Sequence, residues 1–211
     1  MTIIMLAAGT SSRMGSENKM LLPYNGVPMV THCCLRALEF LDRYSADTEE
    51  SSTLIVVTGC RRKSVEKALE PCKLFVEKAN THVRMLIVTN PNYRKGQFSS
   101  TKIGVAEVEE NSPFFISLAD MPLISAEHYA KLVPLLESHD AVRPFYTNNE
   151  DRVPGHPVLH AYKLKERIIQ CPNSWTVSKI LKSSDVIEPS FDDPSWTQDI
   201  DIIQDYQDLN Q

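Results

Sequence analysis

Apolar side chains along this chain fall into two kinds of run. Short unbroken ones, Ile3–Leu6, Thr53–Val57, Met85–Val88 and Phe114–Leu118, have the length and composition of buried strands. Between them the spacing changes to three and four, the pattern of a helix packed on one face. Val30, Cys33 or Cys34, Ala37, Leu38 and Leu41 predict a helix over Met29–Leu41, followed by an exposed polar connection, Asp42–Ser52. Further helices are predicted over Lys63–Leu69, around Ile103, Val105 and Val108, over Ala126–Leu136 with Ser125 as cap, over Tyr162–Gln170 and over Thr176–Lys182. Ala141–Tyr146 and Val153–His160, joined by the Asn- and Asp-rich Thr147–Arg152, predict a hairpin, and Val186–Glu188 a last short strand.

Strands that are apolar throughout and alternate with helices indicate an α/β protein whose mostly parallel sheet is covered on both faces. The antiparallel hairpin is the exception within it. In such sheets ligands sit at the carboxyl ends of the strands. The loops that follow Leu6, Val57, Val88 and Leu118 are therefore where chemistry is expected.

The chain has 211 residues, 42% of them hydrophobic, which suits a single domain spanning 1–211. A formal net charge of -5 argues against a broad nucleic-acid surface. No apolar stretch approaches the ~18 residues of a membrane span, and the N-terminus lacks the pattern of a secretory signal. A cytoplasmic protein without a membrane partner is expected. The five cysteines include no CxxC pair, so neither a disulfide framework nor a zinc site is indicated, and Cys33 and Cys34 are expected to fill core space.

The first strand runs into Ala7, Ala8 and Gly9, small enough for a ligand to lie almost against the backbone. Thr10, Ser11 and Ser12 follow with hydroxyls and amides, then the cations Arg13 and Lys19 around Gly15. Backbone amides, hydroxyls and fixed positive charge are what a polyphosphate needs. An ordinary strand-to-helix connection with a solvated rim is the plain alternative.

The stretch LAAGTSSRMGSENK, Leu6 to Lys19, resembles the LAAGxSxRMGxxxK signature of nucleotidyltransferases, in particular the group similar to the molybdenum-cofactor cytidylyl- and guanylyltransferases. Leu6, Ala7, Ala8, Gly9, Ser11, Arg13, Met14, Gly15 and Lys19 match it. The resemblance implies a Rossmann-like three-layer sandwich and a nucleotide held by these residues, with Arg13 and Lys19 taking part in catalysis.

Three further segments carry it. Gly96-Gln97-Phe98-Ser99-Ser100 is similar to a GxxxSL segment that helps hold base and ribose, with Thr101 in place of the leucine. It assigns Gly96, Ser99 and Ser100 to the nucleotide, although either serine could be a plain helix cap. LADMP places Asp120 directly after a buried strand, where a carboxylate beside a triphosphate repels it unless a divalent cation lies between. Magnesium is implied, and the family motif makes Asp120 a metal ligand. QDIDIIQDY is similar to the family's DIDTPEDY, whose second metal ligand falls on Asp201, with Asp199 two residues back on the same face of an extended segment as the fallback. Ile202 and Ile203 stand where Thr and Pro are usual, and a merely acidic tail is the alternative.

Gly155, His156 and Pro157 match a GHPV segment that in the resembling enzymes faces the second substrate. Between Gly and Pro, His156 is expected in an extended, accessible backbone, though a lone histidine is more often structural.

Together these residues predict transfer of a nucleoside monophosphate to a phosphate of a small acceptor, with release of pyrophosphate. Such an acceptor is ionised near neutral pH, its second pKa being about 6, so no general base is required. No Ser-His-Asp or Cys-His constellation is visible. In the resembling group cytidylyl enzymes carry LAAG and guanylyl enzymes LAGG, so the resemblance implies CTP over GTP at Ala8 and molybdopterin at the GHP segment, with a molybdoenzyme as a further partner. Cytidylyl or uridylyl transfer to a sugar or alcohol phosphate, and a non-catalytic chaperone that binds molybdenum cofactor, are the competing readings.

Overall fold

A computed structural model describes residues 1–10, 18–79, 82–148 and 151–209. Its centre is a seven-stranded sheet in the order β11-β7-β10-β6-β1-β4-β5. The four long strands, β1 (Thr2–Ala7), β4 (Ser52–Thr58), β5 (Val83–Thr89) and β6 (Phe114–Leu118), run parallel. β10 (Val158–His160) lies antiparallel to both β6 and β7 (Ala141–Val142), and β11 (Val186–Ile187) closes that edge parallel to β7.

The unbroken apolar strands are explained by two cores. Ile3, Met5, Ala7, Leu54, Val56 and Phe115 face one, with helices α1 (Met29–Thr48), α3 (Glu70–Lys78) and α5 (Ala126–Leu132). Ile4, Leu6, Ile55, Val57, Phe114 and Ile116 face the other, with α4 (Gln97–Ala106), α6 (Leu164–Gln170) and α7 (Val177–Leu181). Nearly every residue of β1, β4 and β6 is inside, so the side-chain period of two has no polar face to mark it, while the edge strand β5 leaves Leu86 39% exposed.

Three sequence expectations are corrected and one helix is added. The polar run after Leu41 continues α1 through Thr48, because Ser45 is fully buried and Tyr44 rests on Phe40; the helix stops where Glu49 turns left-handed at φ 60. The helix expected over Lys63–Leu69 is α2 (Arg62–Ala68), and a second helix follows at once, α3, with Pro71 in its first turn, where its missing N–H costs nothing. The hairpin is split in two. Its outer half, β8 (Phe145–Thr147) with β9 (Arg152–Pro154), joins β12 (Ser190–Phe191) in a separate small sheet, while its inner half, β7 with β10, enters the main one. Pro144 on one arm and Gly155 to Pro157 on the other interrupt the ladder. Lastly, the extended tail gives way at Ile203 to helix α8 (Ile203–Leu209), whose Asp205 reaches back to the two residues before it: its Oδ2 accepts from the N–H of Asp201 and of Ile202, both at 2.8 Å.

Cys33, Cys34 and Cys72 are buried free thiols, and Cys60 and Cys171 are also free. Among the described residues, no helix is long and apolar enough to cross a membrane.

Candidate nucleotide site

At the carboxyl ends of β1 and β6 lies an open cavity of about 490 Å³. Leu6, Ala8, Gly9 and Thr10 form one part of its wall, Tyr93, Arg94, Gly96, Gln97 and Ser100 another, and Lys19, Asp120, Asp199 and Asp201 a third. It is the topological edge at which ligands of open α/β sheets bind.

Lys19 reaches it from a short 3-10 turn, Lys19–Leu21, capped by Asn18, whose side-chain oxygen accepts from Met20 N–H at 3.0 Å. A two-residue hairpin follows, Pro23–Tyr24 (β2) against Val27–Pro28 (β3), with Asn25 and Gly26 both at positive φ as such a tight turn requires. The Lys19 side chain is only 9% exposed, and its Nζ lies 2.6 Å from Asp120 Oδ2 and 2.7 Å from Asp201 Oδ1. Burial acts to lower its pKa, but Asp120 and then Asp201 outweigh it, and the pKa is raised.

Asp120 stands two residues beyond β6, and its backbone carbonyl accepts from Ile200 N–H at 2.9 Å. That bond carries the C-terminal segment to the strand end. One carboxylate oxygen from each of Asp120, Asp199 and Asp201 lies within 4.8 Å of the others. Partial desolvation, then the charges of Asp201 and Asp120, raise the pKa of Asp199, so the Lys19 ammonium does not fully offset the cluster. Three hard oxygen donors with excess negative charge suit a small divalent cation such as Mg²⁺ or Mn²⁺. Asp199, only a fallback in the sequence reading, belongs to this cluster beside Asp201.

Other candidates are placed differently. Ala7 faces the α1 core, since side chains alternate along β1 and those of Leu6 and Ala8 take the cavity side. Ser100 lines the cavity, whereas the Ser99 hydroxyl donates back to Gly96 O at 2.7 Å as a local cap. Gly96 itself is at φ 99, a conformation other residues adopt only under strain. Ser11 and Arg13 lie outside the described residues. Gly155, His156 and Pro157 do not line the cavity. His156 is half-buried rather than accessible, and burial lowers its pKa. Gly155 packs on Trp196 so closely that a Cβ there would meet its carbonyl oxygen at 2.5 Å.

Two features were not visible in the sequence reading. Gly59 supports the cavity wall: a Cβ on it would meet Tyr93 Cβ at 2.8 Å and Ala8 Cβ at 2.9 Å. A glycine directly after a buried strand was its only signal. The second is a Ser-His-Asp chain after all, with Ser125 Oγ 2.9 Å from His128 Nδ1 and His128 Nε2 3.1 Å from Asp193 Oδ2. It corrects the expectation that none is present, but its geometry is structural. Nδ1 accepts from the Ser125 backbone N–H at 3.1 Å in a capping box, leaving Nε2–H for Asp193, so the ring has no free base for a nucleophile. His128 is buried edge-on against Trp196, and the chain fastens the segment that leads to Asp199 and Asp201.

A family model described as the MobA-like NTP transferase domain matches residues 3–187. Solved structures share the fold at low identity. Rv0371c from Mycobacterium tuberculosis H37Rv superposes with a TM-score of 0.72 at 20% identity, covering 99% of this chain and 97% of that one. The same protein in complex with manganese gives 0.70 at 18%, covering 99% and 96%. A putative glucose-1-phosphate thymidylyltransferase from Bacillus anthracis gives 0.73 at 15%, covering 99% and 93%. No curated protein matches the sequence.

Proposed function

Since the chain belongs to the MobA-like NTP transferase family, we propose that it is a divalent-metal-dependent nucleotidyltransferase that moves CMP from CTP onto a phosphate of a small acceptor, molybdopterin. The observation that carries this reading is the meeting of Lys19 with Asp120 and Asp201, from distant parts of the chain, in the wall of the cavity that Leu6, Ala8 and Gly9 also line. One domain, 1–211, performs the reaction. A cytoplasmic setting goes with it, in keeping with five free thiols.

An ionised oxygen of the acceptor phosphate attacks the α-phosphorus in line. The bond from the α-phosphorus to the bridging oxygen of the β-phosphate breaks, and that oxygen leaves with the electron pair as pyrophosphate. No proton has to be removed from the nucleophile, so the protein's work is positioning and charge neutralisation. Gly9 and Thr10 offer backbone and hydroxyl donors to the nucleotide, and Lys19 offsets charge gathering on the departing pyrophosphate, with Arg13 in the same role by family resemblance. Asp120, Asp201 and Asp199 would hold the magnesium ion, which supplies Lewis-acid neutralisation of phosphate oxygens.

Ala8 supports CTP: its methyl group occupies the wall where the guanylyl enzymes of the resembling group carry glycine, a difference worth ~1–3 kcal/mol. Molybdopterin rests on the GHP resemblance. Because Gly155, His156 and Pro157 do not line the cavity, transfer to a sugar or alcohol phosphate is the second reading.

The test is pyrophosphate release from each of the four ribonucleoside triphosphates with Mg²⁺ or Mn²⁺, with molybdopterin or sugar and alcohol phosphates as acceptor. Release from CTP that needs both cation and molybdopterin supports the full reading, and release only with another acceptor moves it to the second. Tight binding of molybdenum cofactor with no release from any triphosphate overturns catalysis in favour of a chaperone.

A further inference from the structure

Asn90 follows the edge strand β5, is completely buried, and belongs to none of the motifs above. Its backbone N–H donates to Thr58 O at 2.8 Å, holding it at the carboxyl end of the sheet. Its side-chain amide is oriented without ambiguity. The backbone N–H of Asn92, which can only donate, lies 2.8 Å from Asn90 Oδ1. The opposite atom, Nδ2, therefore donates, and it does so to Ser99 Oγ and to Ser100 Oγ, each at 2.9 Å.

Both serine oxygens are thus acceptors toward Asn90, and each hydroxyl hydrogen must point elsewhere. That of Ser99 is used on Gly96 O at 2.7 Å, a carbonyl that also accepts from Ser99 N–H. Ser100 makes no other hydrogen bond among the described residues; it is 3% exposed, and it lines the cavity. With no protein acceptor for it among the described residues, the hydrogen it has left is offered into the cavity, to water or to a ligand that displaces it.

We propose that Asn90 is a positioning residue that sets the polarity of the Ser100 hydroxyl, so that the cavity presents an obligate donor to an acceptor atom on the nucleoside part of the bound nucleotide. The inference rests on the nucleotidyltransferase reading of the cavity and deepens it. The nucleoside end is chosen on topology. The carboxylates that face the α-phosphate stand past β6, on one side of β1, whereas Asn90 hangs from β4 and β5 on the other, and α4 carries Ser100 over β1 and β4. Two sheet spacings, roughly 10 Å, separate β6 from β4. A triphosphate held at the acidic end puts its base and ribose, with their carbonyl, ring-nitrogen and hydroxyl acceptors, at the Ser100 end.

Asn90→Asp is the discriminating variant, because the carboxylate keeps the acceptor for Asn92 but turns its other oxygen into an acceptor that claims the Ser100 hydrogen. Affinities for CTP and for inorganic tripolyphosphate, each with Mg²⁺, are measured by titration calorimetry on the full chain. Ser100→Ala should weaken CTP about three- to tenfold, the usual range for one hydrogen bond, and leave tripolyphosphate unchanged. Asn90→Asp should weaken CTP at least as much, leave tripolyphosphate unchanged, and add nothing when combined with Ser100→Ala. If Asn90→Asp shows no folding transition, Asn90→Ala takes its place with the same non-additivity expected. The proposal is overturned if Ser100→Ala binds CTP like the wild type, if either variant weakens tripolyphosphate as much as CTP, or if the two losses add. Should the wild type bind no nucleotide at all, the reading of the cavity fails first.

Discussion

Lys19 and Asp120, 101 positions apart in the chain, form an ion pair of 2.6 Å in a cleft that leaves the lysine side chain 9% exposed. The ammonium occupies ground between carboxylates that would otherwise repel one another, and it faces the cavity assigned to the nucleotide.

Replacing Lys19 with Met should cost about 1–3 kcal/mol, less than a fully buried pair because the Asp201 side chain is 39% exposed. For a chain of this length that lowers Tm by a few degrees. Millimolar Mn²⁺ should restore much of the loss, because a cation can then sit among the three carboxylates. The pKa of Lys19 is raised in the folded state, so its stabilisation is complete below the unfolded value of about 10.4 and is lost as pH rises through the higher folded value. The Tm gap between wild type and variant should accordingly close only above pH ~10. Calorimetry with and without Mn²⁺ across pH checks both statements.

Asp120→Ala should reduce the rate of pyrophosphate release by about 10²–10³, the cost of losing one preorganised stabilising group, while the far-ultraviolet circular dichroism stays unchanged. Its Mn²⁺ affinity, read by electron paramagnetic resonance, should fall in parallel. Near-normal release by this variant would remove Asp120 from the metal site.

Asp199 has a raised pKa, so the folded state binds its proton more tightly than the unfolded chain does. Stability should therefore increase as pH falls through the folded value toward about 3.9. Asp199→Asn should melt higher than the wild type at pH 7 without divalent cation, lose that part of the acid-side gain, and bind Mn²⁺ more weakly. A lower Tm at pH 7 would show that Asp199 is not under repulsion from Asp120 and Asp201.

Gly155→Ala should act at a distance. The new methyl would collide with the carbonyl and Cβ of Trp196, which are backbone-anchored, so the segment leading to Asp199 and Asp201 has to shift. A stability loss of about 1–3 kcal/mol should be accompanied by weaker Mn²⁺ binding and an unchanged affinity for metal-free tripolyphosphate. Unaltered Mn²⁺ affinity would separate Gly155 from the acidic cluster.

His128 is held below its ordinary pKa by burial, despite Asp193. The unfolded chain takes up its proton first, so stability should decline as pH drops below about 6.5. His128→Gln should show a shallower decline in Tm between pH 6.5 and 5, and faster hydrogen exchange over residues 193–201 at pH 7, where the link to Asp193 is gone.

Much of this architecture was written locally. Unbroken apolar runs such as Ile3–Leu6 and Phe114–Leu118 admit little but strands covered on both faces, and small residues after the first of them admit a ligand close to the backbone. Asp120 stood out because a carboxylate directly after a buried strand has few structural uses, and Lys19 because it closes the stretch that resembles the nucleotidyltransferase signature. The α1 extension past Leu41, by contrast, depended on Ser45 finding a buried place, and the end of the tail's extended segment depended on Asp205 capping α8.

The sequence by itself determined the α/β class and the place of Asp120 just past a buried strand, since burial periodicity and turn chemistry act between near neighbours. Only the tertiary structure decided that Asp199 joins Asp120 and Asp201, that Ser100 rather than Ser99 faces the cavity, and that Gly155 serves Trp196. Those outcomes turn on contacts between segments far apart in the chain, on which side of a strand or helix a residue lands, and on which polar partner is already taken. None of these is recorded in the order of the residues alone.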